Sequence, residues 1–550
     1  MAVIDRRVGW LFLAFAGLLA IAMLRAFDLG ILQGPSLQRD AATQQVTFVK
    51  VPASRGTITD RNGVQLAISE SADDVIADDF LIRNPQRVAS QLSPLLGRPV
   101  LTLLGLLTKR NGGVTLALEV PGDLAAQITN MRIDGISMDP TVKRVYPRST
   151  LAAQVLGGVT GYDRGFSGLE LQYNTALAGV AGQRRVVSDA IGQPIAIGTM
   201  KTTVPGQNLQ LTIDAALQEQ VQQVLAGVAA EYSPKSATAI VMNPDTGAVL
   251  ALANWPNVNA NNPPPPANLA NSDMAVQFNY EPGCTFKAIT VAGALQDGLV
   301  TPSTQFNIPP YLEAYGQTIS DAEAHPDETL TTAGILKVSS NIGADEIGAR
   351  LGPTQFNYWV HRFGFGSRTG VDLPGEDGGI ILPPSLYSGT SMYNLPFGQG
   401  ESVTPMQMVA AYAAIANGGI LRPPHVVSSI GGKPVAIPIG HRIISANTAA
   451  ELRQMLRGVF GDGGTASGAA IKGYDMAGKT GTANIAVDGK YSNSLYVASF
   501  VGMVPYNDPK LLAMVVVNEP QGSIYGGSVA APAFQKIVGW AVPYFGIDPR

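Results

Sequence analysis

One cysteine occurs in the 550 residues, and its neighbours make it a candidate nucleophile. It stands in Glu281-Pro-Gly-Cys-Thr-Phe-Lys287, ahead of the apolar run Ala288-Ile-Thr-Val-Ala-Gly-Ala-Leu295. Pro282 and Gly283 stop the preceding chain, and a helical pattern starts at or just after Cys284. Cys284 and Lys287, at i and i+3, share one face of that helix. A helix N-terminus favours negative charge, and a nearby ammonium favours the thiolate further. A lone cysteine is more often a small buried hydrophobe, but this setting reverses that reading. Two further segments carry polar groups suited to the same chemistry, Val338-Ser-Ser-Asn-Ile342 and Ala477-Gly-Lys-Thr-Gly-Thr482. Read singly, Ser339 is a helix cap and Lys479 a solvated charge. All three in this order and at domain-scale separations are a far stronger signal than any one of them alone.

The flanking pattern supplies elements to position them. Leu209 to Ile213 reads as a strand, and Asp214 is a good N-cap for a helix through Gln218, Val221 and Leu225. Ala237 to Met242 and Ala248 to Ala253, joined by Asn243-Pro-Asp-Thr-Gly247, read as a β-hairpin. Asn261 to Asn271, with Pro263 to Pro266, reads as a loop. Tyr496 to Val504 and Leu511 to Val517 form a second strand pair, with a helix expected from Pro532. Strands at both ends of this half with helices between them suggest an antiparallel sheet covered by helices. Pro205-Gly206 is the expected boundary with the preceding region.

The N-terminus carries Arg6 and Arg7, then Val8 to Leu24 without a charge. The apolar stretch resumes to Leu32, interrupted by Arg25 and Asp28. Crossing the hydrocarbon core takes ~17–25 residues, so this reads as an uncleaved membrane anchor. Trp10 suits the interface and Arg25 can snorkel. The leading arginines place the N-terminus in the cytoplasm and the bulk of the chain outside. Apolar residues make up 46% of the chain and charged ones 14%, as in a folded protein with little surface charge. The net charge of −4 and the lack of a dense Lys/Arg run give no footprint for nucleic acid. His325, His361, His425 and His441 have no paired spacing that suggests zinc and read as structural or surface residues.

With these segments placed, the chain resembles the class B penicillin-binding proteins, and among them the division-type peptidoglycan D,D-transpeptidases. Arg55-Gly-Thr-Ile-Thr-Asp-Arg-Asn-Gly63 is similar to the family's first N-terminal motif. Arg144-Val-Tyr-Pro147 and Gly165-Phe-Ser-Gly-Leu-Glu170 are similar to two more. Thr369 to Gly375, Phe397-Gly-Gln-Gly400 and Val403-Thr-Pro405 match stretches of the transpeptidase domain. The resemblance implies an α+β penicillin-binding, serine β-lactamase-like fold. Its expected plan is a cytoplasmic tail over 1–7, a transmembrane anchor over 8–32, an elongated pedestal or dimerisation-type domain over 33–205, and a transpeptidase domain over 206–550.

The same resemblance implies roles for the marked residues. Cys284 stands in the place of the family's nucleophilic serine, Lys287 is its base, and Ser339 relays the proton. Asn341 holds the donor peptide, and Lys479 adds positive charge opposite Ser339. Thr480 and Thr482 hold the terminal carboxylate of a D-Ala-D-Ala stem peptide, and Gly481 lets substrate lie along the strand edge. The backbone N–H groups of Cys284 and Thr482 form the oxyanion hole. β-Lactams are the implied inhibitors, and a membrane glycosyltransferase of the division machinery is the implied partner. No cofactor or metal is implied. Cysteine in the serine's place leaves three readings open: a natural thiol enzyme, a chain engineered at this residue to be inactive, and a non-catalytic scaffold or β-lactam sensor.

Overall fold

A computed structural model describes residues 2–33, 46–161, 163–188, 194–264 and 269–549. The stretch 265–268, including Pro265 and Pro266 of the expected loop, lies outside the described residues, as does 34–45 of the expected pedestal. The N-terminal helix Ala2–Phe27 runs on into a wider-wound turn at Asp28–Leu32. Arg7–Leu32 has a mean hydropathy of 2.1 over its most apolar part and is long and apolar enough to cross a membrane. At ~1.5 Å per residue it reaches roughly 39 Å, against a hydrocarbon core of ~30 Å. Arg25 and Asp28 neutralise each other here, with Arg25 Nη1 2.6 Å from Asp28 Oδ2.

The chain forms two compact units. The first holds residues 1–54, 71–142 and 179–205, and the second holds 55–70, 143–178 and 206–550. The expected boundary at 205 is therefore only the last of several crossings. Segments 55–70 and 143–178, expected in the pedestal, belong with the second unit because their buried groups are satisfied there.

In the first unit, Val46–Val51 pairs antiparallel with Gly182–Ser188, which pairs with Pro194–Lys201. Residues 72–77 pair antiparallel with Val114–Pro121. Helices Pro85–Leu96, Val100–Leu107 and Gly122–Asn130 enclose a small core that includes Leu92, Leu103, Leu107, Leu116 and Ile128.

The second unit is built on a five-stranded antiparallel sheet. Its strands are β1 (Ser236–Met242), β2 (Val249–Trp255), β3 (Ala477–Val487), β4 (Lys490–Val504) and β5 (Leu511–Asn518), in the order β2-β1-β5-β4-β3. β1 and β5 are apolar at nearly every position because both sheet faces are covered. Leu512, Met514 and Val516 face one core, and Ala513, Val515 and Val517 the other. Helices α1 (Ala215–Tyr232) and α6 (Gly526–Tyr544) cover the second face through Leu217, Val221, Phe534 and Ile537. Helices α2 (Lys287–Gln296), α3 (Thr332–Val338), α4 (Asn341–Arg362) and α5 (Pro405–Ala416) contribute to the core on the first.

Local signals explain most of these limits. Asp214 caps α1 by accepting the N–H groups of Ala216 and Leu217. Thr404 and Gln407 form a reciprocal capping box at the start of α5. α6 starts at Gly526, six residues before the expected Pro532. A proline within a helix loses one backbone hydrogen bond, and burial of the surrounding Val529, Ala530, Ala531, Ala533 and Phe534 outweighs that loss.

Buried ionic groups tie the early motifs together within the second unit. Glu170 is fully buried, with Oε2 2.5 Å from Arg55 Nε and Oε1 2.7 Å from Arg144 Nε. Arg55 also donates to the carbonyls of Asp163 and Glu170 and to Asn174 Oδ1. The three N-terminal motifs thus meet in one network, 115 residues apart at the Arg55–Glu170 pair.

Candidate active site

The nucleophile candidate lies on a tight turn. Gly283–Phe286 forms a 3₁₀ turn that leads directly into α2. Gly283 has φ +54°, donates to the Gly398 carbonyl at 2.9 Å, and would place a Cβ 2.9 Å from the Thr482 carbonyl. Only glycine fits a left-handed turn pressed so closely on β3. Thr285 Oγ1 donates to the Pro282 carbonyl, and Tyr412 of α5 donates to the Thr285 carbonyl at 2.7 Å. Phe286 packs against Phe356 of α4 and against Phe365. The turn is therefore held from three directions, and Cys284 is left half-buried at its outer side.

Four other polar side chains converge there. Lys287 is fully buried, and its Nζ lies 3.4 Å from Cys284 Sγ. It also donates to the Ser339 carbonyl at 2.5 Å, Ser339 Oγ at 3.2 Å and Asn341 Oδ1 at 2.8 Å. Lys479, also fully buried, reaches Ser339 Oγ at 2.7 Å from the opposite side. Cys284 Sγ lies 3.9 Å from Asn341 Oδ1. The Ser339 hydroxyl thus sits between two lysines.

α3 ends at Ser339, which takes the left-handed φ of +65°. α4 starts at Asn341, and its N-cap is Ser340, which accepts the Gly343 N–H at 2.9 Å. Ser340 is therefore the N-cap of α4, and Ser339 is the C-cap of α3, its backbone N–H bonded to the Ile335 carbonyl. With Ser340 holding the helix, the Ser339 hydroxyl is free to face the lysines. Lys479 does not act as a solvated charge, since it extends from the edge strand β3 into the site.

Two buried ammonium groups shape the local electrostatics. Burial pushes the Cys284 thiol up, but the charges of Lys287 and Lys479 and the Ser339 hydroxyl outweigh it and bring it down to about 7. Burial and then the Lys287 charge push Lys479 down to about 7, against the pull of Cys284. Near neutral pH the pair Cys284–Lys287 can hold a thiolate beside an ammonium, while Lys479 exchanges a proton with little free-energy cost.

The strand residues have clear positions. Thr480 Oγ1 lies 2.8 Å from Thr465 Oγ1, and Thr482 Oγ1 accepts the Gly526 N–H at 3.0 Å. A Cβ on Gly481 would meet Ser499 Oγ at 2.3 Å, Thr285 Cγ2 at 2.9 Å and the Pro282 carbonyl at 3.1 Å. The glycine therefore makes room for the nucleophile turn behind it, a packing requirement in addition to the expected access for substrate. β3 ends the sheet, so among the described residues its outer edge has no neighbouring strand.

The structure adds residues that the sequence reading did not single out. Ser320 and Asp321 contact Asn341, His325 faces Asp321, and Thr465 contacts Thr480. Asp345, one turn after Asn341 on α4, is 3% exposed with no hydrogen-bond partner among the described residues. Burial and then the neighbouring Asp321 and Glu346 raise Asp345 to about 8, with Lys287 opposing. Only a tertiary contact marks these positions, and no local spacing announces them.

Comparison with known proteins finds two family models. The penicillin binding protein transpeptidase domain matches residues 237–539, and the penicillin-binding protein dimerisation domain matches 50–211. Peptidoglycan D,D-transpeptidase FtsI of Escherichia coli K12 is 32% identical over 98% of this chain and 93% of its own. Stage V sporulation protein D of Bacillus subtilis is 32% identical over 94% of this chain and 81% of its own. Among solved structures, penicillin binding protein 3 of Mycobacterium tuberculosis in complex with ampicillin aligns with a TM-score of 0.72 at 28% identity. That alignment covers 91% of this chain and 97% of the other.

Proposed function

Since this chain belongs to the penicillin-binding proteins with a transpeptidase domain, we propose that it is a peptidoglycan D,D-transpeptidase of septal cell-wall synthesis that acts through an acyl-enzyme on Cys284. The observation that carries this reading is the connected cluster at Cys284, where Lys287 and Asn341 lie against the sulfur and Ser339 Oγ links Lys287 to Lys479.

The chemistry follows from the distances. Cys284, held as a thiolate beside the Lys287 ammonium, attacks the penultimate D-Ala carbonyl carbon of a stem peptide. A C–S bond forms, and negative charge develops on the carbonyl oxygen. The backbone N–H groups of Cys284 and Thr482 receive that oxygen, usually a large term in acyl transfer. The Cys284 N–H belongs to the first turn of its helical segment, where no intrahelical acceptor exists. The C–N bond then breaks. The proton passes from Lys287 through Ser339 Oγ to the departing D-Ala nitrogen, with Lys479 holding the hydroxyl in line. An acceptor amine next attacks the thioester carbonyl, its proton passes through Ser339 Oγ to the now neutral Lys287, and the C–S bond breaks to give the crosslinking amide and the thiolate–ammonium pair again. A β-lactam enters at the same atom, its ring opening in place of the departing D-Ala. Asn341 and the open edge of β3 hold the donor peptide in extended form, and Thr480 and Thr482 take its carboxylate.

Placement in the cell belongs to the same reading. The helix through Leu32 anchors the chain in the bacterial cell membrane, with its N-terminus cytoplasmic and the catalytic unit outside. The leading arginines support that orientation. A crosslinker of nascent strands works beside a membrane glycosyltransferase that polymerises them. The parts of the chain before 206 that lie outside 55–70 and 143–178 supply a pedestal, and the transpeptidase domain is completed after 206.

The test compares the full-length chain with Cys284→Ser and Cys284→Ala variants. Intact mass after penicillin treatment, and crosslinking of a D-Ala-D-Ala substrate, are measured for each. The proposal expects a penicilloyl adduct and crosslinked product with the unaltered chain and neither with Cys284→Ala. An adduct on Cys284→Ser alone would show that the cysteine form is silenced and would overturn catalysis by the thiol.

A further inference from the structure

Asn341 has each of its polar groups engaged, and one dipeptide engages most of them. Its backbone N–H donates to Asp321 Oδ1 at 2.5 Å, and the same oxygen accepts the Ile342 N–H at 3.0 Å. Its side-chain Nδ2 donates to the Ser320 carbonyl at 2.9 Å. Its remaining group, Oδ1, accepts from Lys287 at 2.8 Å. The first N–H groups of a helix have no internal acceptor, so a carboxylate there is both a hydrogen-bond partner and a favourable charge. Ser320 and Asp321 directly follow the short hairpin Leu312–Ala314 and Gln317–Ile319, which delivers them to the start of α4.

Asp321 is held in turn. Its Oδ2 lies 3.2 Å from His325 Nε2, and His325 Nδ1 lies 2.8 Å from the Pro326 carbonyl and 3.5 Å from Glu328 Oε1. The charged groups around this carboxylate are His325 beside it, Glu328 behind the histidine, and Asp345 with Lys287 on the helices it abuts. With Nδ2 bound to a carbonyl, Asn341 cannot flip its amide, so Oδ1 is fixed toward Lys287.

We infer that Ser320 and Asp321 form a clamp that fixes the orientation of Asn341, and that Asp321 is thereby a positioning residue for the Lys287–Cys284 pair. The clamp rests on the proposed role of this pair, but its consequence is measurable without any transpeptidase substrate. Lys287 has three oxygen acceptors besides the sulfur, and two belong to Ser339. Asn341 Oδ1 is the third. Loss of the clamp lets that acceptor turn away, and the ammonium no longer stays beside the sulfur.

The test is the pH dependence of iodoacetamide alkylation in the full-length chain, where Cys284 is the only thiol. Asp321→Ala should raise the alkylation midpoint by about one pH unit, as expected when an opposite charge is less tightly held. That shift slows the reaction at pH 7 by about fivefold while the alkaline plateau stays unchanged. Asp321→Asn should keep the parent midpoint, because an amide oxygen can accept the same two N–H groups. A merely structural role would change the plateau or the yield of folded protein without moving the midpoint. A midpoint for Asp321→Ala within 0.2 units (roughly the precision of such titrations) of the parent overturns the inference. Should that variant not fold, Asp321→Glu displaces the carboxylate by one methylene and must shift the midpoint in the same direction, and an unmoved midpoint again overturns the clamp. Labelling of the parent and Cys284→Ser by a fluorescent penicillin separates the two ideas. No labelling of either refutes the proposed function and leaves the alkylation result standing, whereas normal labelling with an unmoved midpoint refutes the clamp alone.

Discussion

Replacing Lys287 by methionine removes the positive charge 3.4 Å from Cys284 Sγ while keeping an unbranched side chain of similar length. Opposite unit charges at that separation interact by roughly 5 kcal/mol at an effective dielectric constant of about 20, a ceiling of more than three pKa units. The native balance brings the thiol from 9.0 to about 7, with burial pulling the other way. Without Lys287, burial is opposed only by Lys479 and the Ser339 hydroxyl, and the thiol should return to 9 or above. Lys479 compensates in part, since the Lys287 charge is one of the causes that lower it. Thiolate at pH 7 then falls from about half to about 1%, so alkylation should slow at least about fiftyfold. The assay is stopped-time iodoacetamide labelling read by intact mass between pH 5.5 and 10. A variant that alkylates at pH 7 within threefold of the parent would refute the view that Lys287 sustains the thiolate. Lys287→Arg, which keeps a cation, should lie between the two.

Other outcomes follow from single features. Asp345→Asn should stabilise the fold: the raised carboxyl binds its proton more tightly folded than unfolded, so stability of the parent falls as pH rises from about 4 to about 8. The gain should be near zero at pH 4 and on the order of a few kcal/mol at pH 8, read by thermal unfolding at both pH values. Glu170→Gln leaves the buried Arg55 and Arg144 without a counter-charge. It should destabilise the second unit by about 3–5 kcal/mol in urea unfolding. Gly526→Ala would bring a Cβ to 2.2 Å from the Gly481 carbonyl and 2.3 Å from the Ser499 carbonyl. Backbone must shift, so penicillin labelling should drop by more than tenfold at unchanged labelling temperature, roughly the loss expected for an ångström-scale misplacement.

Much of the catalytic unit was legible in the sequence for physical reasons. Asn243-Pro-Asp-Thr-Gly247 between two apolar runs gave the β1–β2 hairpin, and Asp214 gave the start of α1, because turn and cap chemistry is local. Cys284 and Lys287 could be placed together because three residues of helix fix their separation. Their meeting with Ser339, Asn341 and Lys479 came from motif order and resemblance, since no periodicity encodes contacts across 140 residues. The packing requirement at Gly481 could not be read from the sequence, because a glycine's neighbours are set by Thr285 and Ser499, far away in the chain. Ser340 and Ser339 are adjacent hydroxyl residues, and only the left-handed turn at Ser339 decides which one caps α4 and which one faces the site. The boundary at 205 was incomplete for a similar reason. Arg55 and Glu170 stand in two separate motifs, and only the fold shows that they pair with each other.

That discontinuous arrangement has an evolutionary and practical corollary. Because 55–70 and 143–178 are part of the same compact body as 206–550, no single crossover near 205 can transplant it intact between genes. A recombinant inheriting only residues after 205 would have to pack them against another protein's counterparts of 55–70 and 143–178. Exchange by single crossover should therefore be tolerated at break points before Arg55, or within the sheet-bearing half between partners already matched to each other's early segments. The same constraint applies to proteolysis: a cut at the 205/206 joint leaves the two pieces held together by a shared apolar core and by hydrogen bonds such as those from the Ala215 N–H to Asp60 and from Tyr173 to Asp372, so nicking and dissociation are separate events.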